Sequence, residues 1–168
     1  TFGCQIDGGA AGACDSPRMV VGLADGPHTF SVRATDLAGN VEVDPALHGW
    51  SIDSSTPDTQ IDSGPQGTVA SAIARFTFSS LDAGAGATFE CSLDAAVFAT
   101  CVTPLDLSSL ADGSHGFQVR VRDATGNIDP TPAARTWTVD TSAPTVSVTA
   151  PAAATNDTTP TFTFTTTG

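Results

Sequence analysis

The chain has no lysine and no tyrosine, and its 6 cationic side chains are all arginine. Against them stand 18 acidic side chains, 16 of them Asp, for a formal net charge of -12. Nucleic-acid binding needs cationic groups to displace phosphate counterions, so that function class is excluded, as is docking on anionic lipid. Without lysine, the Lys–Asn isopeptide cross-link of some pilins cannot form. No apolar run reaches the roughly 18 residues of a helical membrane span, so no membrane insertion is expected of this segment. No charged-then-apolar leader opens it. Apolar residues nowhere keep a 3.6-residue period for more than two turns. There is no Gly-x-Ser-x-Gly, no HExxH and no sign of a reactive thiol, so no enzyme is expected.

What is present is small and turn-forming. Pro (11) and Gly (16) punctuate a chain of 168 residues rich in Ser, Thr and Ala. Such a composition suits many short strands. With 40% hydrophobic residues the chain can bury a core. The excess Asp has two readings. It keeps an apolar β-surface soluble, or it supplies hard oxygen ligands to a divalent cation.

The dominant feature is an internal repeat. The stretch CQIDGGAAGAC (Cys4 to Cys14) recurs as CSLDAAVFATC (Cys91 to Cys101), 87 positions later. At the same shift Phe2 falls on Phe89, Asp7 on Asp94, Asp25-Gly26 on Asp112-Gly113, and His28 on His115. Phe30, Val32 and Arg33 fall on Phe117, Val119 and Arg120, Trp50 on Trp137, Asp53 on Asp140, and Pro57 on Pro144. A third copy begins after Pro144, where FTF at Phe162 to Phe164 repeats Phe76 to Phe78. The expected organisation is therefore the C-terminal part of a module over 1–53, a complete module over 54–141, and the N-terminal part of another over 142–168.

Within the complete copy, apolar residues alternate with polar ones in seven short runs. These are Thr59–Ile61, Phe76–Phe78, Phe89–Leu93, Val97–Cys101, Leu105–Leu110, Phe117–Val121 and Trp137–Val139. Gly, Pro and Asp separate them. The pattern predicts an all-β protein of tandem seven-stranded antiparallel β-sandwiches. Trp50 and Trp137 read as core residues.

The segments TFECSLDAAVFATC, LADGSHGFQVRVRDATGN and ARTWTVDTSAP, with their first-copy partners, resemble bacterial immunoglobulin-like and fibronectin type III-like repeats of large surface proteins. The Trp on the last strand and the closely spaced cysteines depart from antibody domains, so the strand order is nearer to fibronectin type III. The resemblance implies a fold and no activity.

Cys91 and Cys101 lie on the two arms of one predicted hairpin, within disulfide reach. Disulfides Cys4–Cys14 and Cys91–Cys101 are expected, which places the protein outside the cell or on its surface. A zinc site would need four clustered ligands, and each copy offers two Cys and a His on another strand. His28 and His115 read as strand-capping residues bonded to a loop, and His48 as a surface residue.

The loops DLAGNVEVD and DATGNIDP place oxygens at one end of each sandwich. Asp36, Asn40 and Glu42, with Asp123, Asn127 and Asp129, are candidate calcium ligands, joined by the linker residues Asp53 and Asp140. Calcium also stiffens junctions in related surface-adhesin repeats, so the resemblance points the same way. The alternative is that Asp, Gly and Asn simply build hairpin turns.

The linkers Asp53-Ser-Ser-Thr-Pro57 and Asp140-Thr-Ser-Ala-Pro144 are short and end in Pro, which restricts bending. Modules on such joints form a rod. The expected partners are neighbouring copies of the module. They join either in one continuous polypeptide, with Gly168 leading on to a residue like Thr1, or in trans, with the strands of Thr145 to Gly168 donated to the next subunit. The expected function is a non-catalytic structural repeat forming a rod, stalk or filament. Two alternatives are an adhesin module binding a host or polysaccharide ligand through end loops, and a spacer in a secreted enzyme.

Overall fold

The computed structural model describes residues 1–151 and 156–167. Of the third-copy segment, residues 152–155 and Gly168 lie outside the described residues. The chain divides into two compact units, Thr1–Thr56 and Pro57–Gly168. The linker residues Ser54 and Ser55 go with the first unit because both bond to its Asp25.

The first unit is a single antiparallel sheet. Its strands are β1 (Phe2–Ile6), β2 (Gly12–Cys14), β3 (Gly26–Ala34) and β4 (Ala46–Ile52), in the order β2-β1-β3-β4. Register pairs Cys4 with Val32, Ile6 with Phe30, and His28 with Trp50. Residues paired across a sheet share a face, so Phe2, Cys4, Phe30, Val32 and Trp50 stand together on one side.

The second unit contains the sandwich. One sheet has three strands in the order β10-β7-β5, from β5 (Gln60–Ser63), β7 (Ala74–Ser79) and β10 (Leu105–Leu107). The other has five in the order β6-β12-β11-β8-β9. These are β6 (Gly67–Val69), β8 (Thr88–Leu93), β9 (Ala99–Cys101), β11 (Gly113–Arg122) and β12 (Ala133–Val139). The two inner faces meet in a core of Ala74, Phe76, Phe78, Phe117, Val119, Trp137 and Val139. Phe76 stacks on Phe117 at 4.1 Å between ring centroids and meets Trp137 edge-on at 5.3 Å. Fully burying one such side chain contributes about 1.5–3 kcal/mol. Seven of the eight strands match the alternating runs. The eighth, β6, pairs parallel to β12.

A hairpin, β13 (Thr145–Thr149) with β14 (Thr163–Thr167), forms a two-stranded sheet of its own. Two of its pairs repeat pairs of β5 with β7, without the register shift that β5 makes between Ile61 and Ser63. Val148 faces Phe164 as Ile61 faces Phe78, and Ser147 faces Thr165 as Gln60 faces Ser79.

Two expectations change. Trp137 is buried as predicted, but Trp50 is only half-buried, because no second sheet covers its face in the first unit. Leu110 packs on the core from outside β10 rather than extending it.

Candidate functional site

The first recurring arrangement is a tie between each linker and the module it leaves. The Asp25-Gly26 and Asp112-Gly113 turns need glycine, whose φ is +127° at Gly26 and +131° at Gly113. The turn puts each Asp beside the outgoing chain. Asp25 Oδ1 accepts from the Ser54 amide at 3.0 Å and the Ser54 hydroxyl at 2.6 Å, and Oδ2 from the Ser55 hydroxyl at 2.9 Å. Asp112 repeats this with the amide and hydroxyl of Thr141, at 2.9 and 2.7 Å, and the Ser142 hydroxyl at 3.1 Å. These bonds favour the charged carboxylate and hold both Asp below their ordinary value, led by Ser54 at Asp25 and Thr141 at Asp112.

The second arrangement backs each tie. His28 places Nδ1 2.8 Å from Asp7 Oδ2 and Nε2 2.7 Å from the carbonyl of Ala24, the residue before Asp25. His115 does the same with Asp94, at 2.8 Å, and with Ala111, at 2.9 Å. Asp7 and Asp94 have positive φ, 49° and 52°, which Asp tolerates better than most residues. Both rings lie close to the tryptophan of the next strand, His28 to Trp50 at 5.6 Å and His115 to Trp137 at 5.4 Å. The loop bond expected of these histidines is present, but each sits within its strand rather than capping it. The carboxylate partner is additional.

The candidate calcium ligands divide among separate tasks. Asp36 Oδ1 accepts from the amides of Ala38 and Asn40, and Oδ2 from the Asn40 side chain. Asp123 Oδ1 accepts from the amides of Thr125, Gly126 and Asn127 and from the Thr125 hydroxyl, while Oδ2 takes the Asn127 side chain. Both carboxylates thus close their own turns. Burial works against ionisation at Asp123, but the bonds from Asn127 and Thr125 outweigh it and keep its pKa low. Glu42 Oε2 accepts from the Ala34 amide. Asp53 and Asp140 each accept from the amide two residues on, Ser55 and Ser142. Asp129 is 1% exposed; its Oδ1 holds Thr131, and its Oδ2 is buried without a hydrogen-bond partner. That orphan oxygen is what a cation would satisfy. Yet among the described residues no three His, Cys, Asp or Glu side chains are grouped so as to hold one.

Both disulfides are formed. Cys4–Cys14 and Cys91–Cys101 each join adjacent strands of one sheet, with Cα atoms 5.8 Å apart. Beside the second, Glu90 bridges Arg120 at 2.7 Å and Arg122 at 3.3 Å, and the Arg120 guanidinium lies 4.2 Å from the centre of the Phe98 ring.

The third arrangement is the uncovered face of the first unit. A groove of about 520 Å³ is lined by Phe2, the cystine Cys4–Cys14, Phe30, Val32 and Trp50, with Arg18 and Val20 on its edge. The sequence pairs these residues with core residues of the complete module, and 1–53 was expected to hold only the C-terminal part of one.

No protein-family profile matches the chain, and no curated protein matches it in sequence. Among solved structures it is similar to a Ca2+-stabilized adhesin with which an Antarctic bacterium reaches out and binds ice. There the identity is 19% and the TM-score 0.39, over 90% of this chain and 43% of that one. It is also similar to a 1.5-MDa bacterial ice-binding adhesin studied for host cell surface retention. That match has 25% identity and a TM-score of 0.39, over 77% of this chain and 47% of that one. The chain spans less than half the length of either structure.

Proposed function

We propose that this chain is a non-catalytic structural segment of an extracellular or cell-surface protein, whose β-sandwich modules follow one another on short tied linkers to build a rod, stalk or filament. The observation that carries this reading is the duplicated linker tie. Asp25 and Asp112 hold the first residues of their outgoing linkers through the same three kinds of bond. A linker fastened to the body it leaves, and followed by Pro57 or Pro144, has few conformations left to bend through. Holding direction from one module to the next is what a spacer needs.

Other features support the reading. A three-stranded sheet packed on a five-stranded one fits an immunoglobulin-like or fibronectin type III-like module. Two hairpin disulfides suit an oxidising compartment. His28 and His115 have both ring nitrogens engaged in structural bonds, which leaves neither to act as a general base.

Electron micrographs of the native protein test the proposal. Thin rods of uniform width are expected, and a compact globular particle would overturn it. Replacing both Asp25 and Asp112 by Ala should make the rods visibly more bent, because the ties are then lost.

A further inference from the structure

Each linker tie stands on a peptide carbonyl that a histidine holds. The Ala111 carbonyl faces Nε2 of His115 at 2.9 Å, and the next residue, Asp112, accepts the bonds from Thr141 and Ser142. On the other side of the ring Nδ1 lies 2.8 Å from Oδ2 of Asp94, whose Oδ1 accepts from the Gly116 amide. The uncharged ring of Trp137, on β12, lies 5.4 Å away. Asp94 is thus the carboxylate that faces the imidazole, while the linker's own Asp140 accepts from the Ser142 amide. The His115 side chain is only 11% exposed, so little water reaches its nitrogens. The same parts recur at His28. Asp7 meets one nitrogen, the Ala24 carbonyl meets the other, and Trp50 lies alongside, with the titratable His48 stacked on it. Asp25 follows Ala24 and holds Ser54 and Ser55, and Asp53 accepts from the Ser55 amide.

We propose that His28 and His115 are pH-sensitive latches on the linkers: the protonated ring fastens each tie, and loss of the proton loosens it. A neutral imidazole has one proton for two acceptors. The carboxylate is the stronger acceptor, so the proton stays on Nδ1. The bare lone pair of Nε2 is then left facing the Ala111 carbonyl oxygen. Two acceptors at that distance, with little water to come between them, repel, and the carbonyl turns away. Asp112 is the next residue, so it loses its aim at Thr141 and Ser142 when the peptide before it turns. At His28 the Ala24 carbonyl acts on Asp25 in the same way. The Ala111 carbonyl, and next Asp94, hold the His115 pKa above its ordinary 6.5, so the latch opens above that value. This inference rests on the linker tie of the rod reading and adds its regulation.

NMR of the intact 168-residue chain across a pH series reads both parts of the latch. The ring signals of His28 and His115 give their titration midpoints. Carbon-relaxation order parameters at Ser54, Ser55, Thr141 and Ser142 report whether each tie is closed. Values near about 0.85 are expected in acid, falling toward about 0.6 in alkali. The midpoint of that fall at Thr141 and Ser142 should equal the midpoint of His115. Asp94→Asn removes the charged acceptor and should move the ring's midpoint and the linker's down together. His115→Gln should abolish the pH dependence at Thr141 and Ser142 and leave it intact at Ser54 and Ser55. The wild-type comparison of midpoints decides the matter even where a variant fails to fold. Linkers ordered at every pH, a linker midpoint apart from the ring's, or an unchanged pH dependence in His115→Gln overturns the latch and leaves the tie standing. Linkers mobile at every pH remove the tie itself, and with it both the latch and the observation behind the rod.

Discussion

The Nδ1 atom of His115 lies 2.8 Å from Oδ2 of Asp94 while its other ring nitrogen faces a carbonyl oxygen. A carboxylate and a carbonyl both accept, so the arrangement is fully satisfied when both nitrogens carry a proton, as in the imidazolium. The Ala111 carbonyl, and next the Asp94 carboxylate, raise the ring's pKa above the ordinary 6.5. At His28 the Ala24 carbonyl and then Asp7 do the same. The bond from the Gly116 amide, followed by that of His115, holds Asp94 below its ordinary 3.8.

These shifts set a pH window. The stability from a raised histidine is complete below 6.5 and is lost as pH climbs through the folded value. That from a lowered Asp94 is complete above 3.8 and is lost as pH falls through the folded value. Glu90, held low chiefly by its bond from Arg120, adds to the same acid limb. Thermal melting should therefore peak between 4.5 and 6.5 and decline on the alkaline side. In His115→Gln the alkaline decline should shrink. Parallel melting curves for wild type and variant across neutral pH would refute the charged ring.

Phe76 is the centre of the core, and Gly64 is shaped around it. A Cβ at Gly64 would stand 2.5 Å from the Phe76 ring. Phe76→Ala should cost about 3–5 kcal/mol in urea unfolding, and Gly64→Ala about 1–3 kcal/mol through overpacking. In the double variant the Gly64 cost should vanish, because the ring it collides with is gone. Additive costs would contradict the contact.

Removing the second disulfide by Cys91→Ala with Cys101→Ala should lower the unfolding free energy by about 2–3 kcal/mol, through a less restrained unfolded chain. The strand pairing of β8 with β9 does not depend on the bond, so the variant should keep its native circular dichroism. Loss of the β-sheet spectrum at room temperature would show that the bond does more than this.

Asp123 fastens its turn with five bonds to its two oxygens. Asp123→Ala leaves those donors without their acceptor and should lower the melting temperature. The turn closes on itself, so the cost should be equal in EDTA and in excess calcium. A cost that appears only with calcium present would return this loop to the cation reading.

The strands and the disulfides were legible in the sequence because alternation and hairpin spacing are local signals. Val119 and Val121, Phe76 and Phe78, and Trp137 and Val139 each show the period directly. Strand β6 was not legible. It has three residues, it starts on Gly67 with φ of +63°, and it pairs in parallel with a strand some 70 positions away. The histidine clamp left only a trace: Asp7 and His28 are 21 positions apart, as are Asp94 and His115. Each residue stood out as a repeat position, but side chains meeting across strands are a tertiary fact. The half-burial of Trp50 departs from its core reading, although the first copy was expected to hold only the C-terminal part of a module. Its own pattern is that of Trp137, and what differs is the covering sheet.

Strands β6 and β12 run parallel, with Gly67, Thr68 and Val69 opposite Trp137, Thr138 and Val139, and the Asp140 amide adds one more bond to the Val69 carbonyl at 3.0 Å. One strand follows the point where the chain enters this module, and the other precedes the point where it leaves. Tension applied through the polypeptide would drag the two past each other lengthwise, straining every rung together instead of peeling them singly. A module wired this way meets stretching as shear along the three paired positions of β6 and β12 and the bond from Asp140 to Val69.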